Sequence, residues 1–451
     1  MGDRILVIGG VAAGLSAASR ARRLDPEARI TVLERGPAAG YSACGLPYML
    51  AGRVSLASLL THPPEFFCER RGLDLRLGQE ALEIEPARHR VRVRAEGSER
   101  WEHYDRLVVA TGARARWQPS KLRNVFTANT WAEAAAFDAA LRGGDLRRVA
   151  VVGGGYIGVE MAEALVLRGG LEVHLVHRHG ALLGNFDPDF VAPLAGDLQR
   201  LGVHLHLGTH VAALDGPPDG RVLALETSAG ALATDAVLNC AGLAPQSALA
   251  AAAGIALGRT GAIAVDEQQQ TNLAGVGAAG DCAESRHRLT GGAVWTPLGA
   301  VANQQGRVAG AHAAGRPAPN GRRARYPGVL GTLALALAGT GWGRTGLTLA
   351  QARAAGLAPA WEDVEAGDRA SYLGPVPLRT RLIYQPATGR LLGCQMSGAP
   401  AALAGRLDVA ATALAAGFTL EQLETLDLAY QPALAPLYEP LQIAAHNALG
   451  R

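Results

Sequence analysis

The sequence predicts an α/β protein built around two dinucleotide-binding units. Three observations lead there. A strand, glycine turn and helix occur twice, each copy is followed by a second strand at a matching distance, and the 451 residues suffice for two to four domains. Hydrophobic residues make up 49% of the chain and charged residues 18%, the balance of a globular protein and the reverse of a disordered one. A formal charge of +3 is too even to suggest nucleic acid as the partner. All but one of the 43 basic residues are arginine, Lys121 being the exception, which reads as coding bias. Cys44, Cys68, Cys240, Cys282 and Cys394 are odd in number and scattered, which argues against a disulfide framework and for a reducing compartment. No stretch reaches the run of about 18 apolar residues that a membrane span requires. Residues 5–18 are interrupted by Gly9, Gly10 and Gly14 and read as strand, turn and helix rather than as a secretory leader. A cytoplasmic protein is expected.

The first copy runs from a strand at 5–8 into Gly9, Gly10, Val11, Ala12, Ala13 and Gly14, then into an alanine-rich helix to about Leu24. Its second strand, 30–33, ends at Glu34, twenty residues after Gly14. The second copy runs from a strand at 149–152 into Gly153, Gly154, Gly155, Tyr156, Ile157 and Gly158, then into a helix to about Arg168. Its second strand, 173–176, ends at His177, nineteen residues after Gly158. In this layout glycines make the tight turn, pyrophosphate sits on the helix N-terminus, and the strand-end residue reaches the adenosine ribose. One such motif is weak evidence, whereas two in matching register are strong.

The copies differ at informative positions. Val11 replaces the middle glycine of the first, and its acid Glu34 suits an unphosphorylated ribose, as in FAD. The second ends in His177-Arg178-His179 with no acid. A carboxylate there would repel a 2′-phosphate, and an arginine accepts one through paired hydrogen bonds. The second nucleotide is therefore expected to be NADPH in preference to NADH.

Other segments fit the same plan. Residues 104–112 end in Thr111-Gly112, like the strand and turn that leave a first nucleotide unit, and Thr271-Asn272 is followed by a strand-like run ending in Gly280-Asp281. With the two glycine motifs these resemble the two-dinucleotide-binding flavoprotein disulfide reductases, in which such an aspartate accepts hydrogen bonds from the ribityl chain of FAD. Tyr41-Ser42-Ala43-Cys44-Gly45-Leu46-Pro47-Tyr48 is more specific. It resembles the redox loop of the coenzyme A-disulfide reductases and their NADH oxidase and polysulfide reductase relatives. Residues 295–299, 302–307, 326–331, 344–347 and 427–430 match the same group, so the resemblance covers essentially the whole chain. Some relatives carry an added C-terminal rhodanese domain, which is not expected here.

The residues then call for single-sulfur chemistry. Residues 46–50 read as a helix with Pro47 in its first turn. A helix N-terminus favours negative charge, so the Cys44 thiolate is expected to form more easily there. The glutathione-reductase branch uses two cysteines separated by four residues and a C-terminal histidine–glutamate pair. Here the flanking positions are Ala39 and Met49, and 430–438 contains no histidine. A lone cysteine must store an electron pair as a mixed disulfide, a persulfide or a sulfenic acid.

The resemblance assigns the remaining roles. Arg35, Pro297, Leu298 and Ala300 join the FAD and nucleotide contacts, while Tyr156 and Glu160 cover the flavin and meet nicotinamide, with Glu163 as the alternative to Glu160. Ser16, Arg20, Arg23, Ser42, Arg71, Asn303 and Tyr438 line a coenzyme A groove. Arg20 and Arg23 share a helix face, and Arg22 points elsewhere. Tyr430 and Tyr372 reach the active site of the other subunit and protonate or stabilise the leaving thiolate, which implies a homodimer. Leu373 and the run after Tyr430 depart from the usual pattern at those tyrosines. His204 and His206 alternate on one strand without a third ligand, so no metal is expected.

The expected fold is therefore α/β, with two nested Rossmann-like dinucleotide-binding domains and a C-terminal α+β dimerisation domain. The FAD unit comprises 1–115 and 248–325, the NAD(P)H unit 116–247, and the dimerisation unit 326–451. The expected activity moves electrons from NADPH through FAD and Cys44 to coenzyme A disulfide. Alternatives are a coenzyme A-persulfide or polysulfide reductase, an NAD(P)H oxidase using the same cysteine, or, in another class, a redox-sensing flavoprotein. Neither nucleic acid nor membrane is expected as a partner.

Overall fold

The computed structural model describes residues 2–116, 121–218, 220–317 and 321–450. Two five-stranded parallel sheets dominate. The first has the order Val276–Ala278, Arg106–Val109, Arg4–Ile8, Arg29–Glu34 and Asp74–Leu77. The second has the order Val203–Leu207, Glu172–His177, Arg148–Val152, Ala236–Asn239 and Val125–Phe126. Their central strands are buried from Ile5 to Ile8 and from Val149 to Val152, because helices or meanders cover both faces. That is why these segments are continuous apolar runs with no alternation.

One strand of the first sheet, Val276–Ala278, follows the whole second sheet in the chain, so the second nucleotide unit is inserted within the first. Ala113–Ala115 pairs antiparallel with Leu243–Pro245, laying the outgoing and returning chain side by side.

Two helices flank the first nucleotide turn. Ala12–Leu24 leaves the turn, and Gly299–Ala313 packs along it. Their backbones touch at two glycines. A Cβ at Gly306 would lie 2.2 Å from the Ala13 carbonyl oxygen, and one at Gly310 would lie 2.1 Å from that of Ala17. The C-terminal region is an antiparallel sheet in the order Leu333–Leu337, Thr340–Gly346, Arg390–Gly398, Pro377–Gln385 and Ala360–Gly367, covered by Pro400–Ala416.

A buried ionic cluster joins this region to the second nucleotide unit. Arg381, 1% exposed, reaches Asp363, Asp189 and Asp187. Asp187 also accepts the Leu349 N–H at 3.0 Å and the Gln395 side-chain amide at 2.5 Å.

Candidate active site

Both nucleotide turns are built the same way. Gly9 and Gly153 have φ of +111° and +114°, where a side chain would be strained. A Cβ at Gly14 would sit 1.8 Å from the Gly9 carbonyl oxygen, and one at Gly158 would sit 1.7 Å from that of Gly153. Each helix therefore starts directly against its strand end. In the first turn Glu34 accepts the Gly10 and Gly36 N–H groups, each at 2.7 Å. In the second, His177 Nδ1 accepts the Gly154 N–H at 3.0 Å. An imidazole thus replaces the carboxylate. Burial holds His177 below its ordinary pKa, helped by His179 and Arg178 and opposed by a backbone hydrogen bond at Ala181. Arg178 is exposed, donates from Nε to His179 Nε2 at 3.0 Å, and meets no carboxylate among the described residues.

A cleft of about 470 Å³ opens beside the first turn. It gathers Gly9, Val11, Ala12, Ala13, Glu34, Arg35, Thr111, Gly112, Tyr156, Ile157, Glu160, Gly280, Asp281 and Pro297 around Cys44. Gly10 and Gly14 lie behind this lining. Of the run after Trp295, Gly299 lines the cleft, whereas Leu298 and Ala300 do not. Gly153, Gly155, Gly158, His177 and Arg178 stand at the second turn, outside it.

The cleft residues fit FAD. Glu34 and Cys44 both line the cleft, and the Asp281 carboxyl, also in its lining, has no hydrogen-bond donor among the described residues. Burial pushes that carboxyl up to about 6. An acid so placed needs a hydroxyl donor from a bound group. Tyr156 donates its hydroxyl to the Pro297 carbonyl at 3.1 Å, and burial raises its pKa. Glu160 likewise lacks a described donor. Burial, with Glu163 nearby, raises it to about 7. Glu163, the alternative to Glu160, does not line the cleft; it accepts the Ala338 N–H at 2.8 Å and ties its helix to the turn of the C-terminal hairpin.

Cys44 lies in the short turn Ala43–Gly45, exposed toward the cleft, and is the only cysteine among the cleft's described lining residues. Its expected activation by residues 46–50 is corrected. That helix, Leu46–Leu50, has five residues, and the surrounding protein raises the thiol pKa, with Glu160 and Asp281 adding to it. A longer helix stands closer to the purpose. A Cβ at Gly299, first residue of Gly299–Ala313, would lie 4.0 Å from Cys44 Sγ, so the thiol faces that helix's N-terminus.

The arginines expected in a substrate groove do come together. Arg23 is lowered by burial and then by the charges of Arg71, Arg20 and Arg307. None of these four has a carboxylate partner among the described residues. Arg71 also stacks over Phe66, whose ring is stacked on His62 at 3.9 Å and meets Phe67 edge-on. Ser16 and Asn303 lie on the same two helices, whereas Arg22 turns away to the Pro26 and Gly72 carbonyls. Arg307 was not singled out from sequence, although its place one helical turn after Asn303 was the available signal. Ser42 is exposed just before the Cys44 turn.

Tyr430, Tyr372 and Tyr438 do not line the cleft of their own chain. They are 51%, 74% and 73% exposed, beside exposed Leu373, Leu434 and Leu437. His204 and His206 both face His174, which is hydrogen-bonded to His206 and Glu172. Among the described residues no group of three or more histidine, cysteine, aspartate or glutamate side chains is arranged to hold a metal ion, and no helix is long and apolar enough to cross a membrane.

Comparison with known proteins agrees with this geometry. The family model described as pyridine nucleotide-disulphide oxidoreductase matches residues 3–316, and that for the dimerisation domain of the same family matches 338–440. The NAD(P)H coenzyme A polysulfide/persulfide reductase of Pyrococcus horikoshii is 36% identical over 449 residues, 99% of this chain and 98% of that one. The coenzyme A disulfide reductase of Staphylococcus aureus is 26% identical, covering 95% and 96%. Among solved structures, reduced CoADR-RHD of Bacillus anthracis superposes with a TM-score of 0.94 at 29% identity, over 100% of this chain and 80% of that one. An engineered water-forming NADPH oxidase bound to NADPH, derived from the Lactobacillus brevis NADH oxidase, gives 0.91 at 26%, covering 99% and 98%.

Proposed function

Since the chain belongs to the pyridine nucleotide-disulphide oxidoreductase family, we propose that it reduces a sulfur–sulfur bond on coenzyme A, with NADPH as electron donor and Cys44 as the redox sulfur. The observation that carries this is Cys44 standing as the one cysteine among the described residues around the nucleotide cleft. The first glycine turn, Glu34 and Asp281 would hold FAD, which when bound would supply the two-electron relay between nicotinamide and sulfur.

The chain's own residues supply the rest. Cys44 attacks one sulfur of the acceptor, which forms a mixed disulfide and expels the other sulfur as a thiolate. Adding two electrons and two protons overall turns one disulfide into two thiols. The attacking form is the thiolate, and the N-terminus of Gly299–Ala313 is the feature of the site that favours it. Arg20, Arg23, Arg71 and Arg307 form an unpaired positive field, with Ser16 and Asn303 on the same two helices as three of them, which suits the phosphates of coenzyme A. Tyr430, Tyr372 and Tyr438 sit on an exposed apolar surface within or beside the dimerisation domain. In a homodimer that surface would be covered, and the tyrosines would serve the partner's cleft. NADPH is favoured by the absence of an acid at His177-Arg178-His179. The engineered NADPH oxidase offers a parallel, since its substitutions include aspartate to alanine and, next to it, alanine to arginine.

Coenzyme A disulfide is the first reading of the acceptor. Coenzyme A persulfide or polysulfide is the second, favoured by the 36% identity to the Pyrococcus horikoshii enzyme. NADPH oxidation tests both, with coenzyme A disulfide or polysulfide plus coenzyme A as acceptors under anaerobic conditions and oxygen as a separate acceptor, on wild type and Cys44→Ser. Turnover with a sulfur acceptor that is lost in the serine variant is expected. Fast consumption of oxygen alone identifies an oxidase, and full sulfur activity in the serine variant overturns the role of Cys44.

A further inference from the structure

The two nucleotide turns differ in how many hydrogen-bond acceptors they leave for a ribose. Glu34 spends two on the Gly10 and Gly36 N–H groups. A carboxylate has about four acceptor positions, so about two remain for hydroxyls. His177 takes over the corresponding N–H, that of Gly154, through Nδ1. A neutral imidazole has one acceptor, and here it is used. The ring is also held in place: a Cβ at Gly154 would lie 2.8 Å from His177 Cγ and 2.7 Å from Leu182 Cδ2, and the Leu183 N–H donates to the Gly154 carbonyl at 2.9 Å.

The neighbouring side chains form the other half of the arrangement. Arg178 spends Nε on His179 Nε2, while its terminal nitrogens have no partner among the described residues. The His179 ring stands edge-on to His177, with centroids 5.2 Å apart.

Resting on the reading that the second nucleotide is NADPH, we propose that His177 and His179 set its specificity. His177 withholds the acceptor that a free 2′-hydroxyl would use. His179 is a positioning residue, occupying Arg178 Nε so that the two terminal nitrogens receive a 2′-phosphate. Discrimination thus has an unfavourable element against NADH as well as a favourable one for NADPH.

Calorimetric titration of the FAD-loaded protein with adenosine 2′,5′-bisphosphate and with adenosine 5′-monophosphate reads this without any hydride chemistry. Wild type is expected to bind the bisphosphate at least about tenfold more tightly, the worth of one charge-assisted hydrogen bond. His177→Glu still accepts the Gly154 N–H but restores free acceptors. It should bind the monophosphate roughly tenfold more tightly and the bisphosphate more weakly, inverting the order. His177→Gln, neutral, caps Gly154 with one of the two acceptor positions of its carbonyl and leaves the other free, so it should tighten the monophosphate without weakening the bisphosphate. His179→Ala should weaken only the bisphosphate, and His179→Gln should restore it. If His177→Glu weakens the bisphosphate and leaves the monophosphate unchanged, simple charge repulsion explains the site and the proposal fails. If His177→Gln leaves the monophosphate affinity unchanged, it fails too. A wild type indifferent to the 2′-phosphate refutes the NADPH reading itself, whereas a preference that survives His177→Glu refutes only the role of His177.

Discussion

Two glycines of the second nucleotide turn, Gly155 and Gly158, should respond to alanine in opposite ways. Gly155 has φ of −76° and ψ of −179°, and a Cβ built there meets no protein atom within 4 Å. Val11 occupies the equivalent place in the first turn, which shows that this backbone accepts a side chain. Gly155→Ala should therefore be neutral, or stabilising by about 0.4–1 kcal/mol through the reduced entropy of the unfolded chain. Its cost falls on the ligand, because the methyl stands where the backbone must approach the pyrophosphate. NADPH affinity should drop about tenfold or more. Gly158 is the opposite case. Its Cβ would lie 1.7 Å from the Gly153 carbonyl oxygen, against 3.4 Å for ordinary contact, and the obstacle is backbone that cannot rotate aside. The helix start must retreat by roughly 1.5 Å, at about 3 kcal/mol, the upper range for overpacking. A displacement of that size also removes most nucleotide affinity, since about 1 Å can cost two orders of magnitude in a positioned site. The assay pairs thermal melting and flavin content with NADPH titration. A Gly155→Ala protein that melts well below wild type, or binds NADPH within twofold of it, would refute the reasoning.

Three further outcomes follow from the geometry. Burial and neighbouring positive charge depress His206, and burial depresses His174 despite Glu172. Unfolded histidines take up protons below about 6.5 while these two stay neutral in the fold, so stability is present above that pH and falls as acid approaches their lowered values. Melting temperature measured from pH 7.5 to 5 should show this decline, and His206→Gln should flatten it; identical profiles would dismiss the pair. Arg307→Glu should raise KM for coenzyme A disulfide about tenfold, with a weaker salt dependence and unchanged NADPH affinity. An unaltered KM would remove Arg307 from the groove. Arg381→Met should cost about 3 kcal/mol in chemical denaturation, the low end for a broken buried pair because Asp189 and Asp363 are partly solvated. A change under about 1 kcal/mol would mean that the cluster does not join the C-terminal region to the nucleotide unit.

Much of the cleft was legible before any coordinates, because its parts are local. A glycine forced to positive φ, an apolar strand buried on both faces and an acid at the next strand's end lie within about thirty residues of one another. Their spacing reports their geometry directly, as Gly9, Gly14 and Glu34 show. The helix behind Cys44 was legible in outline, but its assigned electrostatic role was not. Residues 46–50 are a local N-terminus, whereas the one that meets the thiol comes from Gly299, 255 positions later.

Sequence alone therefore determined the doubled nucleotide turn, the lone cysteine of the 41–48 loop and the nesting implied by the late Asp281, since backbone conformation and strand burial constrain residue type at fixed intervals. Tertiary structure alone decided that Glu163 serves the Ala338 turn rather than the cleft, that Arg307 completes a cluster with Arg20, Arg23 and Arg71, and that His177 uses its acceptor on Gly154. The physical reason is that charge repulsion, desolvation and hydrogen-bond saturation depend on which atoms the packed units bring within a few ångströms, and spacing along a chain carries no such distance.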